Sequence, residues 1–147
     1  MKRSGSRIPA ILLFIFIAVA TSGSVAAQST DRDYPTPIKS AEINGTLDGS
    51  GNEYFYSFPA GPGELTLTVD VKSSTGQALL NYELLAKNAA TVIICCEYAQ
   101  ADGDGLSARA VKSVKLANRQ TVILHVTVGK AGTGTYRVRL GGAVAFE

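Results

Sequence analysis

The sequence predicts an all-β protein, an antiparallel β-sandwich or small barrel of about eight short strands. Apolar residues recur at every second position in several runs, which is the period of a half-buried strand. Clusters of Gly, Pro, Asn and Asp separate those runs at regular intervals, as turns between short strands require. Only Gln77–Ala90 offers a competing helical period, through Leu79, Leu80, Leu84 and Leu85. Asn81, Tyr82 and Asn88 sit badly in a short isolated helix, so this run too is assigned to strand.

The chain begins with a segment that does not belong to the fold. Lys2, Arg3 and Arg7 give a positive start, and Ile8–Ala20 is an apolar run. Val25 and Ala27 supply the small residues before a cut at Gln28. These are the three parts of a secretory signal peptide, and the run is shorter than the about 20 residues a membrane span needs. Residues 1–27 are therefore expected to be removed, residues 28–37 to form a flexible lead-in, and residues 38–147 to form one domain.

Within that domain the strands follow in order. Ile38–Leu47 is an irregular first run, and Tyr54, Tyr56 and Phe58 then form an aromatic stripe. Beyond the turn residues 59–63, Leu65, Leu67, Val69 and Val71 share one face, with Thr66, Thr68, Asp70 and Lys72 on the other. Ala78–Leu85, Thr91–Tyr98 and Arg109–Leu116 fill the middle of the chain. In the run from Gln120, Val122, Leu124, Val126 and Val128 oppose Thr121, His125 and Thr127. In the last clear run Tyr136, Val138 and Leu140 oppose Thr135, Arg137 and Arg139.

Charge and cysteine content exclude several functions. The formal charge of +2 comes from 14 basic and 12 acidic residues. The three bases of residues 1–27 leave 14 − 3 = 11 against 12, so the mature chain is at −1. It has no general basic excess for nucleic acid or an anionic membrane. The 2 Cys are adjacent, which excludes a disulfide scaffold, a zinc ribbon and a heme-attachment sequence.

The order of features resembles a known family. Ile43-Asn-Gly45-Thr-Leu47-Asp48 opens the pattern, and Tyr54-Phe-Tyr-Ser-Phe58-Pro-Ala60-Gly61 follows. Leu65 to Val69 then gives an L-x-L-x-V strand, and Gly134-Thr-Tyr136-Arg-Val138-Arg-Leu140 the closing G-T-Y-x-V-x-L strand. From about Ala41 to Gly141 this is similar to the bacterial pre-peptidase C-terminal (PPC) domains, which accompany secreted peptidases. The resemblance implies a jelly-roll-like β-sandwich without catalytic activity. Related collagen-binding modules of secreted collagenases bind protein fibrils and calcium. The domain is expected to stand alone behind its signal peptide, without a peptidase, which would depart from the family's usual setting, and none of the family's calcium ligands is carried over.

The residues that could carry chemistry are few. His125 is the only His, so any Ser–His or Cys–His catalysis must pass through it. No G-x-S-x-G elbow is present, and His125 reads as a sheet-surface residue. Cys95 and Cys96 in an extended strand point to opposite faces and read first as small apolar side chains, with an intermolecular disulfide or a bridge between neighbours as alternatives. Two loops offer oxygen donors for calcium, Asp48, Asn52 and Glu53 in one and Asp102 and Asp104 in the other. Neither reaches a full calcium-loop register, and both match ordinary turn chemistry. Tyr34, Tyr54, Tyr56, Tyr82, Tyr98 and Tyr136 divide between core and a stacking platform, and 0 Trp weakens the platform reading. Asn44-Gly-Thr46 is a glycosylation sequon, relevant only in a eukaryotic host.

The expected function is that of a secreted or periplasmic, non-catalytic β-sandwich. It would recognise an extracellular or cell-envelope protein or polysaccharide, with no cofactor required, no nucleic-acid partner and no membrane span after signal cleavage. Two alternatives stand beside it. One is assembly through sheet edges or a disulfide-linked homo-oligomer, and the other a calcium-dependent module of a secreted complex.

Overall fold

In the computed structural model of the protein, residues 28–88 and 91–146 are described, so the signal-peptide reading of residues 1–27 lies outside the described residues. The described residues form eight strands, β1 (Thr36–Pro37), β2 (Glu42–Leu47), β3 (Glu53–Thr75), β4 (Gln77–Ala86), β5 (Val92–Asp102), β6 (Ser107–Leu116), β7 (Gln120–Val128) and β8 (Thr133–Val144). β7 matches its alternating sequence run at both ends.

The largest departure from expectation is β3. The aromatic stripe and the Leu65–Val71 run, expected as two strands joined by a turn, are one strand of 23 residues. Its first half, Glu53 to Ala60, pairs antiparallel with β7. Its second half pairs with β8 on one side and β6 on the other. Residues 59–63 are thus a corner by which the strand leaves one sheet and enters the next. Gly61 makes the corner feasible, because its φ of 83° is left-handed and an added Cβ would overlap the Asn118 carbonyl. Proline and glycine here mark a change of sheet rather than an end of pairing.

Two layers result. The first sheet runs β2, β8, the second half of β3, then β6. The second runs β1, the first half of β3, β7, β4, then β5. All pairings are antiparallel except β1 with β3. The period-two apolar faces meet between the layers. Leu65, Leu67, Val69 and Val71 of the first sheet share one core with Phe58, Leu80, Leu84, Val122, Leu124 and Val126 of the second. Each such side chain contributes about 1.5–3 kcal/mol relative to exposure, so the sandwich is held by burial of its inner faces.

The lead-in 28–37, expected to be flexible, is instead laid on the second sheet. Phe55 N–H donates to the Ser29 carbonyl at 2.9 Å, and Ile38 N–H to the Ser57 carbonyl at 2.9 Å. Ser29 N–H donates to Thr36 Oγ1 at 2.9 Å. The edge of β3 that β7 does not cover would otherwise present free backbone groups, and this segment occupies it.

Candidate functional site

The outer face of the first sheet carries a concentration of charge that composition conceals. β3 contributes Glu64, Asp70 and Lys72, β6 contributes Arg109 and Lys115, β8 contributes Arg137 and Arg139, and β2 contributes Glu42. That is five basic residues against three acidic ones on a chain whose formal charge is only +2. Register brings them together. Asp70 lies opposite Arg109 of β6 on one side and opposite Arg137 of β8 on the other, with Arg139 beside it.

Asp70 is the hub of this face. Arg109 Nε donates to Oδ1 at 2.5 Å and Arg139 Nη2 to Oδ2 at 2.9 Å, while Arg137 Nε stands 3.9 Å from Oδ2. The Arg109 hydrogen bond first, then Arg139, holds the Asp70 carboxyl below the usual carboxylate range, against the opposing effect of burial. One carboxylate cannot satisfy three guanidiniums, each with five N–H donors. Arg139 Nε is buried without a hydrogen-bond partner. The guanidinium side chains keep 40–59% of their surface exposed. Arg109 and Arg137 line an open trough of about 550 Å³, together with Asn44, Asp70, Lys72, Ser107 and Thr135, among others.

Behind the trough Tyr136 is buried, and its ring lies across Gly45 so closely that any Cβ there would overlap it. Its hydroxyl is 3.3 Å from that of Tyr56, and burial pushes the phenols of both residues up. Tyr82 is also buried, whereas Tyr34 and Tyr98 are exposed at separate places. The six tyrosines therefore form no common platform.

The outer face of the second sheet has the opposite character. His125 stacks on Phe55 with ring centroids 4.4 Å apart. Its Nδ1 is 2.7 Å from Glu83 Oε1 and its Nε2 3.2 Å from Glu53 Oε2. Phe55, Leu85 and Ile123 make a small second apolar cluster there. Thr127 Oγ1 lies 3.4 Å from Nε2, which superficially completes a nucleophile–base–acid order. Glu53 is the nearer partner of that nitrogen, however, and the surrounding backbone amides belong to the ladders between β3, β7 and β4. Glu53, a calcium candidate by sequence, is thus a partner of His125.

Cys95 and Cys96 are joined by a disulfide, S–S 2.04 Å, and both are exposed. The expectation of one inward and one outward side chain fails because β5 bulges here. Tyr82 pairs with Glu97 and Leu84 with Ile94, so both cysteines oppose Glu83 alone. Cys96 takes a φ of 60°, which breaks the alternation.

The remaining calcium candidates sit at one end of the sandwich. Asp48 Oδ1 accepts from Ser50 N–H at 3.0 Å, and its hydrogen bonds with Ser50 lower its pKa. Asn52 N–H donates to Ser50 Oγ at 3.1 Å. Asp104 Oδ1 accepts from Gly76 N–H at 2.6 Å. Asp102 accepts from Gln77 Nε2 at 2.9 Å and from Gln100, and these two bonds lower its pKa. Gly132 approaches both Gly49 and Gly76, which brings the two loops near one another. Among the described residues no three His, Cys, Asp or Glu side chains form a metal-sized group.

No family model and no curated protein matches the chain. Among solved structures, the pre-peptidase C-terminal domain of a collagenase from Bacillus anthracis aligns with 74% of this chain and 95% of its own, at 19% identity and a TM-score of 0.45. The chain is similar to a PPC domain. A CBM36-1 domain of a multidomain xylanase from the hindgut metagenome of Trinervitermes trinervoides aligns with 67% of this chain and 77% of its own, at 14% identity and a TM-score of 0.43. A CBM22-1 xylan-binding domain from Paenibacillus barcinonensis aligns with 69% and 72%, at 14% identity and a TM-score of 0.40.

Proposed function

We propose that the protein is an exported, non-catalytic β-sandwich that binds a polysaccharide of the cell envelope or the extracellular space. The observation that carries this reading is the trough on the first sheet. It is an open depression on a rigid face, edged by Asn44, Lys72, Ser107, Arg109, Thr135 and Arg137, and Arg137 stands beyond hydrogen-bond distance of the one carboxylate there. A β-sandwich supplies such a face at no conformational cost, because its strands are fixed by the core. Export rests on the basic, apolar and small-residue pattern of residues 1–27. The absence of catalysis rests on His125, whose two ring nitrogens both face carboxylates.

Native electrophoresis through gels carrying neutral or acidic polysaccharides tests the reading. Retardation of the protein by at least one polymer, with no change in polymer length, is expected. Free migration in every gel, or depolymerisation that His125→Ala abolishes, would overturn it.

A further inference from the structure

We infer that the trough between β6 and β8 recognises the carboxylates of an acidic, uronate-containing polysaccharide through Arg109 and Arg137. The inference rests on the polysaccharide-binding reading and names the ligand class. Asp70 shows the chemistry the site accepts, because two guanidiniums already hold the two oxygens of its carboxylate. Planar guanidiniums match planar carboxylates through paired N–H donors. Arg137 is not within hydrogen-bond distance of Asp70, and Lys72 lines the same trough, so positive charge remains after the internal pair is counted. Glu42 and Glu64 are the other acids of this face. Glu42 Oε1 accepts from Asn44 Nδ2, and Glu64 lies opposite Lys115.

The lining of the trough decides among anionic partners. Asn44, Ser107 and Thr135 bring polar side chains that suit sugar hydroxyls. The one aromatic residue of the trough, Tyr136, is only 2% exposed. Single-stranded nucleic acid relies on exposed aromatic platforms, and protein partners on buried aromatic or aliphatic anchors. Val111 is the one large apolar side chain strongly exposed on this face among the described residues. The backbones of β6 and β8 flank β3 about 10 Å apart at the usual strand spacing, and the Arg109 and Arg137 side chains reach inward from them toward Asp70, so both can meet one polymer chain laid along the trough.

The test is retardation of full-length mature protein in gels carrying sodium polygalacturonate, dextran sulfate, neutral dextran or duplex DNA. Polygalacturonate should retard it most, and added salt should release it. The double variant Arg109→Ala/Arg137→Ala should bind polygalacturonate at least about tenfold more weakly, as loss of charge-assisted hydrogen bonds implies. Asp70→Asn, which removes the competing carboxylate, should bind severalfold more tightly. Tyr98→Ala, on the opposite sheet, should bind unchanged. A melting curve on each variant separates lost binding from lost folding, and the opposite signs for Asp70 and the arginines cannot both come from unfolding. Equal or stronger retention by dextran sulfate or DNA, or an unaltered double variant, would overturn the uronate assignment. Retention by neutral dextran alone would overturn it while sparing polysaccharide binding. Free migration in every gel would overturn both.

Discussion

Asp70→Asn separates the two roles of the central carboxylate. In the folded protein Asp70 neutralises guanidiniums that β6 and β8 hold beside it, and the amide can accept but cannot balance their charge. A hydrogen bond to a charged group contributes about 1.5–3 kcal/mol when well shielded. Asp70 is only 20% exposed, but Arg109 and Arg139 are 59% and 40% exposed, which moves both contacts toward the surface value of about 0–1 kcal/mol each. The expected loss is therefore about 1–2 kcal/mol, a fall in Tm of roughly 3–10 °C for a domain of this size. The pH dependence has a fixed sign. Because the folded carboxyl titrates below its unfolded value of about 3.9, its contribution is complete above that value and disappears as pH falls through the folded one. Differential scanning calorimetry of both proteins should show the full Tm gap at pH 7 and pH 5, and a closing gap below the ordinary Asp range. Molar salt should narrow it by screening the arginines from one another. Equal Tm values at pH 7, or a gap that persists undiminished at pH 2, would refute the role given to Asp70.

Three further outcomes follow from the same geometry. His125→Ala loses the stack on Phe55 and leaves Glu53 and Glu83 facing each other across a gap; a stability loss of about 1–2 kcal/mol is expected in chemical denaturation, with polygalacturonate retention unchanged. Gly45→Ala places a Cβ into the Tyr136 ring, so the ring or the β2 strand must shift, at about 1–3 kcal/mol as for other overpacked sites, read by the same denaturation. Asp48, Asp102 and Asp104 are spent on the Ser50, Gln77, Gln100 and Gly76 donors, so the account expects the same Tm in excess EDTA and in millimolar calcium. A rise of several degrees in calcium would instead make that end of the sandwich a metal site.

Much of the fold is legible in the sequence because a period of two is a local property. The run Gln120–Val128 gives both the extent of β7 and the face on which His125 lies. Other features depend on pairing that no local pattern encodes. Residues 59–63 have the composition of a turn, and only the change of partner from β7 to β8 and β6 makes them a corner. Cys95 and Cys96 escape the alternation because the bulge is defined by two residues of β5 opposing one of β4. Gln28–Pro37 is polar enough to read as loose, yet an uncovered strand edge gives it a place to dock. The trough shows the same division. The outward direction of Arg137 and Arg139 is visible in the closing strand, but Asp70 lies 39 residues from Arg109 and 69 from Arg139. Their meeting requires the register of three strands, and the near-neutral total charge hides it.

Backbone amide shifts of residues 28–147, titrated with an oligogalacturonate, would test the central claim most directly. Shifts should concentrate on the outer positions of β3, β6 and β8 around Asp70, Arg109, Arg137 and Arg139, while His125, Cys95 and Cys96 stay still. Shifts confined to the second sheet or to the loop end at Asp48 and Asp102, or no shifts at all, would contradict it.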